Sequence, residues 1–110
     1  MNSILYFSHN VNMIQEEIES NIKNLDAEIE RKQKICSDRA KEIDGKEKKL
    51  DDDIINQTID QQTAVKRDEE IQQLLAIQSN EQGHINLLKD EKDKELEKLN
   101  KVQEDLHHKN

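Results

Sequence analysis

Residues 22–50 read IKNLDAEIERKQKICSDRAKEIDGKEKKL, and every seventh residue of this stretch, starting from its first, is apolar. The row continues at the same spacing to Leu106, and ten of its thirteen members suit an apolar seam if Ala and Cys are counted. A seven-residue period that does not slip is typical of helices packed against helices. The members are Ile22, Ile29, Cys36, Ile43, Leu50, Gln57, Ala64, Ile71, Gln78, Ile85, Lys92, Leu99 and Leu106.

The composition agrees with an extended helical protein. Of the 110 residues, 38% are charged and 32% are apolar, against about 25% and about 45–50% in ordinary globular domains. Proline is absent and only two glycines occur, so little interrupts a helix. No stretch shows the alternation of a β-strand. The sequence therefore predicts an all-α fold without a globular core: one extended coiled-coil helix, once bent or straight, or a long helical hairpin.

The first ten residues differ from the rest because they hold the only Tyr and Phe of the chain. Their apolar run is too short for the core of a signal peptide or for a membrane span. We interpret residues 1–10 as an aromatic tail, or as a hook that docks on a partner or folds over the start of the helix. Asn12, with Gln15 three residues later, suits a helix N-cap. A helical rod is therefore predicted over residues 11–108.

The rod divides into zones by the width of its apolar stripe. Residues 11–29 and 71–106 carry strong apolar seams. Residues 30–70 are predicted to form a polar spacer, either an exposed rod or a helix that needs a partner's groove. The reason is the companion row beside the seam, which is charged throughout this zone: Lys32, Arg39, Lys46, Asp53, Asp60 and Arg67.

Two places could interrupt the helix. Asp44–Gly45 would suit a turn, and Gly83 follows a polar run that starts at Ser79. A reversal of the chain anywhere between residues 44 and 62 would give a hairpin, whereas a continuous helix through Gly83 is equally compatible with the pattern. The sequence leaves both questions open.

The candidate contact residues follow from the seam. Gln57 and Gln78 are candidates for fixing register, because a polar residue in a seam lowers stability but specifies pairing. The residues predicted to bind partner helices are Val11, Ile14, Ile18, Ile22, Leu25, Ile29, Ile43, Leu50, Ile71, Leu74, Ile85, Leu88, Leu99, Val102 and Leu106.

Nothing in the sequence assembles into a catalytic, cofactor or metal site. It has no glycine-rich phosphate loop, no metal-spaced Cys/His cluster and no serine in a nucleophile context, so we predict no enzyme and no small-molecule substrate. A net charge of −8 disfavours binding to nucleic acid or an anionic membrane. The single cysteine, Cys36, excludes an intrachain disulfide framework and favours a reducing, cytoplasmic location.

Blocks of charge bear on how helices would pair. Residues 16–30 carry six acids and one base, net −5, and residues 31–50 carry eight bases and four acids, net +4. Residues 51–88 carry two bases and eight acids, net −6. A parallel, in-register homodimer would place like charges together, whereas a staggered, antiparallel or heteromeric arrangement would match basic with acidic. A hetero-oligomer is therefore favoured.

These features predict a non-enzymatic structural or adaptor subunit that binds partner helices within a larger protein assembly. The alternative is a small acidic helical chaperone or regulator, which would mask the amphipathic helix of a partner, for example before delivery to a secretion apparatus. A scaffold would accompany the finished assembly, and a chaperone only the unassembled partner.

Overall fold

The chain forms two long helices joined by a short turn. The computed structural model describes residues 2–108, with side chains from Val11 to Asp105. Helix α1 spans Asn2–Ile55 and helix α2 spans Gln61–His108, and no strand occurs within residues 2–108. The all-α prediction is confirmed, and the hairpin is the form that the chain adopts.

Helix α1 begins earlier than the sequence suggested. It starts at Asn2 and passes through Asn12, so the predicted N-cap at Asn12 is wrong. The physical reason is that residues 2–12 contain neither proline nor glycine, and nothing there stops a helix from extending. The side chains of residues 1–10 lie outside the described part of the chain, and the aromatic hook stays a prediction.

The turn at residues 56–60 ends α1 in a Schellman motif. Gln57 has a φ of 57°, the left-handed conformation that commonly follows the last helical residue. The Thr58 N–H donates to the Asp53 carbonyl oxygen over 3.0 Å, and the Gln57 N–H donates to the Ile54 carbonyl oxygen over 3.2 Å. Both bonds satisfy carbonyl groups that the end of the helix would otherwise leave unpaired.

Asp60 starts the second helix. Its Oδ1 accepts a hydrogen bond from the Thr63 N–H over 2.7 Å, and its carbonyl oxygen accepts from the Ala64 N–H over 3.0 Å. This is the geometry of an N-cap, in which a side-chain oxygen satisfies a free N–H of the first turn. The hydrogen bonds from Thr63 lower the pKa of the Asp60 carboxyl below its ordinary 3.8.

Neither glycine interrupts a helix. Gly45 lies inside α1 and Gly83 inside α2. Glycine costs about 1 kcal/mol in a helix interior, and buried Ile43 and Leu50 on either side of Gly45 contribute more than that by packing. The chain reverses at residues 56–60, between the two helices.

Contacts group the chain into two compact units, one made of residues 1–30 and 86–110 and the other of residues 31–85. The second unit contains the turn, and we call it the hairpin unit. The numbers of residues paired across it, such as Lys32 with Glu81 and Asp53 with Arg67, add up to between 113 and 120. A total that stays nearly constant is the mark of antiparallel pairing.

The core of the hairpin unit lies in the predicted seam. Ile43, Leu50 and Ile71 are buried and form one cluster, and complete burial of such side chains contributes about 1.5–3 kcal/mol each. Partly buried apolar residues pack against this cluster: Ile59, Ala64 and Leu74. If the seven-residue frame is lettered a to g, with Ile43 and Ile71 at a, the companion row that contains Arg39 and Arg67 falls at d.

The other unit, residues 1–30 and 86–110, follows the same frame. Ile18 and Ile29 are buried in it, and half-buried residues continue both rows at spacings of three and four. Lys92 occupies an a position, where an apolar residue would normally lie. Its Nζ reaches Asp26 Oδ1 at 2.6 Å, so the ammonium group is paired with a carboxylate at the edge of the seam.

Candidate interaction surface

Most of the residues predicted to bind partner helices lie inside the units themselves. Ile18, Ile29, Ile43, Leu50, Ile71 and Ile85 are buried. A second group is half-buried: Val11, Ile22, Leu25, Leu74, Leu88, Leu99 and Val102. In the hairpin unit the chain's own second helix occupies the seam, because the turn at 56–60 brings α2 against α1. Among the predicted contact residues, Ile14 is exposed, with 48% of its surface accessible. The side chain of Leu106 lies outside the described residues.

The two register candidates have different places. Gln57 lies in the turn at φ 57°, so the prediction that it occupies a seam between helices is wrong. Residue 57 belongs to the row only because the seven-residue spacing was continued past Ile55, where α1 ends. Gln78 lies between the helices: its Nε2 donates to the Cys36 carbonyl oxygen over 2.7 Å, and its Oε1 accepts from Arg39 Nη1 over 3.2 Å. Its role in fixing register stays a prediction.

Three members of the charged companion row form ion pairs between the two helices of the hairpin unit. Lys32 Nζ lies 3.4 Å from Glu81 Oε1. Arg67 Nη1 lies 2.7 Å from Asp53 Oδ2. The hydrogen bond from Arg67, followed by one from the Thr58 hydroxyl, lowers the pKa of the Asp53 carboxyl below its ordinary 3.8. Opposite charges from the same chain therefore pair with Lys32, Asp53 and Arg67.

Antiparallel pairing also matches the charge blocks. Residues 31–50 carry eight bases and four acids. In the register of the hairpin unit they lie beside residues of α2 up to about position 83, and residues 61–85 hold two bases and four acids. Basic therefore faces acidic, as in the antiparallel alternative considered above.

One side of the hairpin unit has a small cavity of about 90 Å³, lined by Lys46, Lys49, Arg67, Glu70 and Ile71. Lys49 and Glu70 both hold g positions, on α1 and α2, so the g positions of the two helices lie on the same side of the seam. We call this side, with the c positions next to it, the groove flank. Its charges are mixed: bases at Arg31, Lys49 and Lys66, and acids at Asp38, Glu42, Asp52 and Glu70.

The opposite side of the hairpin unit is formed by the b and e positions, because they occupy the other edge of the frame. All fourteen are exposed and none is Lys or Arg. Four are acidic and four are apolar, and we call this side the acidic flank. Its residues are Gln33, Ser37, Ala40, Asp44, Glu47, Asp51, Ile54, Gln61, Val65, Asp68, Gln72, Leu75, Ser79 and Gln82.

Apolar side chains on the acidic flank are exposed to solvent. The exposed fraction is 50% for Ile54, 51% for Val65 and 38% for Leu75. Ile55, beside Ile54 at the end of α1, is 75% exposed. Burying these side chains would be favourable by about 25 cal/mol for each Å² removed from water. Covering the flank would therefore favour association.

The unit of residues 1–30 and 86–110 has an open groove of about 440 Å³ on its own c and g side. Five of its eight lining residues are charged, with both signs, and Lys98 Nζ there lies 3.1 Å from Glu95 Oε1. The lining residues are Asn21, Asn24, Leu25, Glu28, Glu91, Lys94, Glu95 and Lys98. Leu25 is the one apolar residue among them.

No family model matches this chain, and neither the curated proteins nor the solved structures contain a match to it. Within the described residues, no helix is both long and apolar enough to span a membrane, and no three His, Cys, Asp or Glu side chains are grouped as a metal site would need. The function is therefore inferred from the surfaces of the protein.

The acidic flank is not among the sequence-based predictions, although its signal is present in the sequence. The predictions rest on the seam positions of the seven-residue frame. The same frame, read at its b and e positions over residues 31–85, shows four acids and no base. What the frame could not give was the pairing of the two helices, which places both sets of b and e positions on one side.

Proposed function

We propose that this protein is a non-enzymatic structural or adaptor subunit that binds the helices of partner proteins in a larger, hetero-oligomeric assembly. The observation that carries the proposal is the exposure of Ile54, Ile55, Val65 and Leu75 outside the seam. A hairpin that fills its own seam has only the outer surfaces of its helices left for binding, and these four side chains are apolar residues on one side and one end of the hairpin unit.

The surface suits a helix better than a small molecule. The acidic flank is built from two parallel ridges of side chains on α1 and α2, and a third helix could lie between them with its apolar stripe on Ala40, Ile54 and Leu75. The buried, free thiol of Cys36 accords with the reducing, cytoplasmic location that we propose for the assembly.

Affinity purification of the tagged full-length chain from its source cells tests the proposal. We expect defined partners in stoichiometric amounts with the finished assembly, and we expect their loss with the double variant Ile54→Ser, Leu75→Ser. Leu87→Ser is the matched control, because Leu87 is 61% exposed but lies outside the hairpin unit. Recovery of a partner in its unassembled form alone would favour a chaperone, and full recovery with the double variant would refute the proposal.

A further inference from the structure

We propose that the acidic flank of the hairpin unit binds a basic amphipathic helix of another protein. This inference rests on the proposed function and specifies the chemistry of the partner. It starts from two properties of one surface: apolar side chains that are half exposed at Ile54 and Val65, and charges that are all negative among the b and e positions.

The apolar part determines the shape of the partner. Ile54 and Ala40 lie on α1, fourteen residues apart, and Val65 and Leu75 lie on α2 at corresponding levels of the antiparallel register. Fourteen helical residues span about 21 Å. A partner helix of about four turns would cover this length, with anchors at spacings of three and four along one face.

The charges of the flank determine the sign of the charge that the partner must carry. Glu47 and Asp68 hold e positions on α1 and α2 at the same level of the register, between the apolar pairs. Asp44 and Asp51 lie at b positions. Asp44 Oδ2 is 3.0 Å from the Nζ of Lys48, a residue that lies next to the flank. Lys or Arg side chains on both edges of a docked helix would lie close to these carboxylates, and complementary charge favours both the encounter and the choice of partner.

A second copy of the chain fits less well. Its own acidic flank would bring carboxylates against carboxylates. Its groove flank offers three bases but also four acids, Glu42 and Glu70 among them, so docking there would bring carboxylates as well as bases toward the acidic flank. Like charges brought together at an interface disfavour the complex, and the occupant is therefore a different protein with an excess of basic residues.

The test uses the full-length protein and two synthetic helical peptides of about 20 residues, a length at which helices can form alone. Both peptides carry leucines at spacings of three and four; one has lysines along the edges and the other has glutamates in their place. Fluorescence anisotropy measures binding. We expect the lysine peptide to bind at least about tenfold more tightly than the glutamate peptide, and to be weakened by added salt.

Charge reversal locates the binding. Glu47→Lys with Asp68→Lys is expected to weaken binding of the lysine peptide about tenfold, because each change turns an attraction into a repulsion. Glu42→Lys with Glu70→Lys on the groove flank alters the net charge by the same amount and is expected to change affinity less than about twofold. Circular dichroism verifies that both double variants remain helical. Equal weakening by both would show diffuse charge attraction and overturn the inference.

Further outcomes separate this inference from the proposed function. If the glutamate peptide binds as tightly and Leu75→Ser weakens it, the flank binds helices but the basic partner is wrong. If sedimentation equilibrium shows a dimer that the Glu47→Lys, Asp68→Lys variant alters, the occupant is a second copy and the inference fails. If neither peptide binds and no partner is recovered from cells, both proposals fall.

Discussion

Arg67 Nη1 donates a hydrogen bond to Asp53 Oδ2 over 2.7 Å, which joins α1 to α2 directly beside the turn. Both residues are half-buried members of the d row. The Thr58 hydroxyl also donates to this carboxylate, at Oδ1, over 3.0 Å. One carboxylate therefore holds the end of α1, the turn and the start of α2 together.

Acid should weaken this junction. The pKa of Asp53 is lowered by the hydrogen bond from Arg67 and then by that from Thr58. A carboxyl with a lower pKa in the folded state contributes stability above its unfolded pKa and loses it as the pH falls through the folded pKa. We expect Asp53→Asn to lower the Tm at pH 7, and we expect this difference to shrink as the pH falls below the ordinary pKa of 3.8. Melting curves across this range test it; a Tm difference that is independent of pH would contradict it.

Asp60 should be required to cap the N-terminus of α2. Asp60→Ala removes the acceptor for the Thr63 N–H and is expected to lower the Tm, whereas Asp60→Asn keeps a side-chain oxygen and is expected to retain most of the stability. Hydrogen exchange of residues 61–64 measures fraying of the first turn directly. Exchange in Asp60→Ala as slow as in the unchanged protein would show that the cap is dispensable.

Gln57→Gly should stabilise the protein. A residue with a Cβ is disfavoured at a φ of 57°, and glycine is the usual residue at this position of a Schellman motif. After the greater entropy of glycine in the unfolded chain is included, we expect a gain of about 0.5–1 kcal/mol in the free energy of unfolding. Urea denaturation measures it. Gln57→Ala is the control and should give no gain, because alanine keeps the Cβ.

The core cluster should dominate the stability of the hairpin unit. Ile71, of which 3% is exposed, packs with Ile43 and Leu50, and Ile71→Ala should cost about 2–5 kcal/mol. The control is Ile55→Ala at the exposed end of α1, which should change stability by less than about 0.5 kcal/mol. Similar losses from the two variants would mean that the seam does not hold the helices together.

Gln78 should specify how the helices pair. Gln78→Leu removes the bonds to Cys36 and Arg39 and leaves a side chain that packs equally well at other levels of the seam. We expect a stability change within about 1 kcal/mol but a lower yield of the carbodiimide cross-link between Lys32 and Glu81, mapped by mass spectrometry. Gln73→Leu, at an exposed position on the groove flank, is the control. An unchanged cross-link pattern would remove Gln78 from this role.

The seam was predictable because its signal is local and periodic. The row from Ile22 onward identifies which side of each helix is buried, and Ile43, Leu50 and Ile71 lie there as expected. The reversal was not predictable to the residue. Turns are usually recognised from Gly or Asn at a left-handed position, or from Pro at a neighbouring one, and here Gln57 occupies the left-handed position without such a signal.

The polar spacer shows why pairing partners could not be read from the sequence. The charges of residues 30–70 were expected to oppose self-sufficient packing, since a parallel pair would set like against like. In the antiparallel hairpin, Lys32 meets Glu81 and Arg67 meets Asp53. The same residues thus favour or disfavour packing according to the direction of the second helix, which only the turn decides.

The two glycines and the buried thiol make the chain suitable for single-site labelling. A Cβ added at Gly45 meets no heavy atom within 4 Å, while the native Cys36 is buried. A thiol-reactive dye would therefore attach to a Gly45→Cys protein at the engineered position, and the helix would gain from the loss of glycine. Gly45 holds a c position on the groove flank, so a fluorophore there could report on events at the opposite side without obstructing them.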